Sequence, residues 1–134
     1  MKKILTLICC TILLAATSCK KETIVGPNTT QTIVFNVNAT GTFSWKLGNN
    51  GASYSAVLDV PEIDSYALAH DAVLVYISFD GGTTYEQVPE VYGGTAYSFS
   101  YVKGSIQVDA QTSDGSAAVK PGPATIKVLL VQGN

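Results

Sequence analysis

Residues 43–60, FSWKLGNNGASYSAVLDV, decide the fold. Phe43, Trp45 and Leu47 alternate with Thr42, Ser44 and Lys46, and after a break the chain returns with Tyr54, Ala56, Leu58 and Val60 at every second position. Side chains two apart share one face of a strand, so this pattern describes two half-buried strands. The break itself, Gly48-Asn49-Asn50-Gly51, holds residue types that accept positive φ, as a hairpin turn requires. The stretch is therefore a β-hairpin with one apolar face.

Upstream, Ile33, Phe35 and Val37 alternate with Thr32, Val34 and Asn36. Downstream, Pro61 has no N–H to donate and ends the returning strand. Ile63, Tyr66 and Leu68 then fit a single helical turn within 61–69, with Asp64 placed to cap its free amides. Residues 72–79, AVLVYISF, are apolar at nearly every position, as in a central strand covered on both faces or one packed beside a long loop. Asp80-Gly81-Gly82 closes that strand, 85–88 is a short strand before Pro89, and Gly93-Gly94 marks a loop. Tyr97, Phe99 and Tyr101 lead through Lys103-Gly104 to Ile106 and Val108, a second hairpin. A long connection containing 113–116 and 121–123 precedes the last strand, 125–132, with Ile126, Val128 and Leu130 inward. Hardly any helix and no βαβ spacing predict an all-β fold: an antiparallel, immunoglobulin-like β-sandwich of about eight strands with one short helical turn. Its core is expected to lean on aromatics. No internal repeat is present.

The first 19 residues carry an address. Met1-Lys2-Lys3 is a short cationic start, residues 4–16 are apolar but too few to span a bilayer, and Thr17-Ser18-Cys19 is a small-residue cleavage site followed by Lys20-Lys21-Glu22. These features resemble the signal peptide and lipobox of bacterial lipoproteins. That resemblance implies removal of residues 1–18 and acylation of Cys19, with fatty chains such as palmitate anchoring the chain to a membrane. Residues 19–31 then read as lipidated cysteine and flexible tether, and 32–134 as the domain. Farther along, Val-Pro-Glu-Ile at 60–63, a helical turn, AVLVYISF, a glycine turn and Tyr-Glu-Gln-Val-Pro at 85–89 are similar to small uncharacterised bacterial lipoproteins. In that group a β-domain follows the anchor, and no activity is established for it. The implied location is the bacterial cell envelope, at the outer membrane or the cell surface.

Composition narrows the partners. The 134 residues have a formal net charge of −2, and arginine is absent. Loss of Lys2 and Lys3 with the leader leaves six lysines against ten carboxylates, which argues against nucleic acid and other polyanions. Cys9 and Cys10 lie in the leader and Cys19 is the acylation candidate, so the mature domain is expected to fold without a disulfide and without a thiolate ligand.

Few residues suggest chemistry. His70 is the single histidine, next to Asp71, and no G-x-S-x-G elbow accompanies it. Asp59 with Glu62, or Glu86 with Glu90, would be the carboxylate pairs for a glycosidase, but their spacing does not by itself select a cleft. Asp59, Glu62 and Asp80 are weak calcium candidates near strand ends, with Asp64 and Asp71 nearby and the EF-hand spacing absent. The aromatic set is the better clue, because a pyranose C–H face stacks on an exposed ring beside polar hydrogen-bonding groups. Trp45, Tyr97 and Tyr101 are in phase with core positions, which leaves Tyr76, Tyr85 and Tyr92 as candidate ligand contacts. The reading is a membrane-anchored envelope lipoprotein that serves as a non-enzymatic interaction or structural module, with a glycan or an envelope protein as candidate partner. A surface polysaccharide-binding module is the alternative and a hydrolase the third choice. No cofactor is expected.

Overall fold

The computed structural model describes the backbone of residues 21–25 and the whole of residues 30–48 and 50–133. The leader and Cys19 lie outside the described residues. Ten strands and one helix follow in order: β1 Lys21–Val25, β2 Thr30–Val37, β3 Lys46–Leu47, β4 Tyr54–Asp59, α1 Ser65–His70, β5 Ala72–Ser78, β6 Glu86–Val88, β7 Glu90–Tyr92, β8 Thr95–Val102, β9 Ser105–Thr112 and β10 Ala124–Val131. They form two five-stranded antiparallel sheets, β1-β2-β10-β5-β6 and β3-β4-β9-β8-β7, and the fold is the expected all-β sandwich.

The core follows from the period of two. Ile33, Phe35 and Val37 of β2, Val73, Val75 and Ile77 of β5, and Ile126, Val128 and Leu130 of β10 are buried on the inner face of the first sheet. Ala56 and Leu58 of β4, with Ile106, Val108 and Ala110 of β9, meet them from the second. The expectation of an aromatic core is corrected here: Ile, Val and Leu dominate, and Phe35, Trp45 and Tyr97 are the buried rings among the described residues. β-Branched side chains have one preferred rotamer on a pleated surface and fill a thin two-sheet core with little loss of freedom. Most other rings sit at the rim.

Three local readings also change. Ser44 and Trp45 are buried in succession, which breaks the alternation and turns Leu47 outward on a two-residue edge strand. The first part of the stretch read as tether is instead β1, paired with β2 from Lys21 opposite Phe35 to Val25 opposite Gln31. Residues 90–92, unassigned from sequence, form β7 at the edge of the second sheet. The helical turn stands where expected: Asp64 accepts from the Tyr66 and Ala67 amides, at 2.9 and 2.8 Å, and caps α1.

Registers give the sandwich two ends. One, the helix end, carries α1 and the Lys103-Gly104 turn, tied together by Val60 N–H to Gly104 O (2.9 Å) and Gly104 N–H to Ile63 O (2.8 Å). The other, the loop end, carries segments 38–45, 79–85 and 113–123, which follow β2, follow β5 and precede β10.

Candidate functional site

The two sheets do not close along the edge formed by β6 and β7. The chain crosses from one sheet to the other through a cis Val88–Pro89 peptide, so β6 and β7 border the same seam. Glu86 lies two positions from buried Val88 and shares its inward face, and Glu90 stands opposite buried Tyr97 in the β7–β8 register. Both carboxyl groups are thereby directed toward the seam from either side of Pro89. Tyr92 continues the same face and lies flat on Phe79, with ring centroids 4.4 Å apart and planes at 14°. Phe79 also meets Tyr97, at 5.2 Å. The resulting cleft, about 220 Å³, is lined by Ile77, Phe79, Asp80, Thr84, Glu86 and Tyr92.

Electrostatics mark Glu90. Burial, then a hydrogen bond with Glu86 and the repulsion of that second carboxylate, raise its pKa to about 7. Glu90 Oε1 is buried with no hydrogen-bond partner among the described residues, so ionisation there would leave a charged oxygen without a donor. Asp80, on the cleft's other lip, behaves oppositely. Its carboxylate accepts from the Thr84 amide (2.9 Å), the Ser78 hydroxyl (2.7 Å) and the Thr83 amide (3.0 Å), and these bonds lower its pKa to about 2. Burial raises the Tyr97 phenol.

The three candidate tyrosines divide. Tyr92, 49% exposed, presents its ring at the cleft mouth. Tyr76 and Tyr85 lie together on the outer face of the first sheet, with Lys127 Nζ 3.9 Å from the Tyr85 centroid and 5.2 Å from that of Tyr76. Lys127 pairs with Tyr76 across the β10–β5 register, so it occupies the ring faces that a sugar would use.

The calcium candidates are also separated. Asp59 and Glu62 are at the helix end and Asp80 is at the loop end, and among the described residues no group of three His, Cys, Asp or Glu side chains is placed to hold a metal. His70 is exposed on α1, stacked on Tyr66 with centroids 4.2 Å apart, its Nδ1 2.9 Å from Tyr66 O. Sequence reasoning paired Glu86 with Glu90 only as one option among several. Two glutamates four positions apart, with a proline between them where the chain changes sheets, are the signal that singles the pair out.

An aromatic platform, flanked by Glu86, by Glu90 with its raised pKa and by Asp80 with its lowered one, can stack on a C–H face and hydrogen-bond hydroxyl groups around it. No family model, no curated protein and no solved structure matches this chain. The class therefore rests on fold and site alone: an antiparallel β-sandwich with an open edge cleft.

Proposed function

We propose that the protein is a lipid-anchored envelope module of the bacterial cell, without catalytic turnover, whose sandwich holds an interaction surface close to the membrane. The observation that carries this reading is the start of β1 at Lys21, two residues after the cysteine of the lipobox-like leader, so that anchor and folded domain adjoin. Incorporation of labelled palmitate into the parent and its loss in Cys19→Ala tests the anchor. Unlabelled parent protein recovered from the soluble fraction would sink it.

A second reading, binding of an envelope glycan, is favoured by the Tyr92–Phe79 platform beside Glu86, Glu90 and Asp80. Retention on a glycan array that is abolished in Tyr92→Ala and kept in Tyr85→Ala supports this reading. Silence of the parent across the array removes it.

A further inference from the structure

The position of β1 bears on how the domain stands against a membrane, and not only on whether it is attached. β1 runs antiparallel to β2, with Lys21 opposite Phe35, two positions short of the β2 terminus Val37. Lys21 is therefore near the loop end, at the edge of the first sheet. It lies two positions after Cys19, a reach of at most about 7 Å. Lipid at Cys19 would thus be held close to one corner of the sandwich.

That corner has an apolar tip. The connection 113–123 folds back over Trp45, whose Nε1–H donates to Gly122 O at 3.1 Å. On one side of Val119 the Ala118 amide reaches Gly51 O, in the turn after β3, at 3.5 Å. On the other, Lys120 Nζ donates to Ala39 O, just past β2, at 3.1 Å. Val119 is bracketed by these contacts yet 66% exposed, and Leu47 on the adjoining edge strand β3 is 55% exposed. A single exposed valine is ordinary, and what distinguishes Val119 is its place in a bonded loop at the corner nearest Lys21. Asp114, in the same loop, accepts from the Ser116 amide, which helps hold its charge within the turn.

We infer that the loop-end corner formed by Val119, Lys120 and the turn residues 50–53 rests on the lipid bilayer, with Val119 entering the headgroup–acyl boundary and Lys120 among the headgroups. This rests on the lipid-anchor reading. The Tyr92 cleft lies at the far edge, four strand spacings from β1, or about 19 Å at ~4.8 Å per strand, and stays open beside the contact. α1, at the other end of strands about 27 Å long, points away from the membrane.

The processed chain contains no cysteine besides Cys19, so Val119→Cys and Leu68→Cys, made in the full-length protein, each give one free thiol. Each variant is labelled with a polarity-sensitive fluorophore, reconstituted in vesicles carrying lipid-attached quenchers, and scored separately for palmitate incorporation. The expected result is palmitate in both, with blue-shifted, quenched emission at 119 and unshifted, unquenched emission on α1. Palmitate in both with no quenching at 119, or with equal quenching at the two sites, overturns the posture and leaves the anchor standing. No palmitate in either overturns both.

Discussion

Glu86 and Glu90 stand on opposite sides of Pro89, one in each sheet, and burial followed by the neighbouring Glu86 carboxyl raises the Glu90 pKa. Because the native pKa of Glu90, about 7, is above its ordinary value of 4.5, the folded state holds a proton that the unfolded chain releases. The stabilisation is complete below pH 4.5 and is lost as pH rises through about 7. Glu90→Gln keeps the neutral form at every pH. It is expected to melt higher than the parent at pH 8, by on the order of 1 kcal/mol after allowance for solvent screening, and to match it near pH 5. Equal melting curves at pH 8 would contradict the raised pKa of Glu90.

Trp45 holds the 113–123 connection through its indole N–H to Gly122 O. Trp45→Phe retains most of the buried ring and deletes the bond, so a loss of about 1 kcal/mol is expected on denaturant unfolding. Amide exchange in 113–123 should accelerate beyond that in β4 and β9. A uniform change across the chain would show that the bond does not govern the loop.

Gly104 takes φ +83° in the turn that joins β8 to β9, and both its amide and its carbonyl bond to the segment before α1. A Cβ there meets nothing within 4 Å, so the cost of Gly104→Ala is conformational. About 1–2 kcal/mol of destabilisation is expected. Thermal denaturation of Gly104→Ala beside Gly122→Ala, which has no positive φ, separates strain from simple side-chain addition.

Lys127, Tyr76 and Tyr85 form a cation–π cluster on the outer face of β10 and β5. A double-mutant cycle of Lys127→Met with Tyr85→Leu is expected to give a coupling of about 0.5–1 kcal/mol. Additive effects would free Tyr85 to serve as a ligand platform.

Much of the fold was legible because alternation reports burial directly wherever a strand has one wet face. The returning strand of the 43–60 hairpin, the Lys103-Gly104 turn and the Asp64 cap stand as their residues suggest. Leu47 departed because a strand of two residues imposes no period, and β7 was hidden because three residues carry none. β1 was read as spacer from its polar surroundings, yet an edge strand needs only backbone pairing to join a sheet. Of the candidate ligand tyrosines, Tyr92 reached a cleft. Tyr76 and Tyr85 were claimed by a lysine 51 and 42 positions later in sequence, through a strand pairing that no local pattern encodes.

By itself the sequence determined where strands run, which faces are apolar and where the chain turns, since those depend on the residue's own shape and its neighbours two places away. Only the tertiary structure decided which edges stay open, which carboxyl groups flank Pro89 at the seam between the sheets and which corner of the sandwich receives Lys21. These depend on register between distant strands, and register is set by the packing of the whole core.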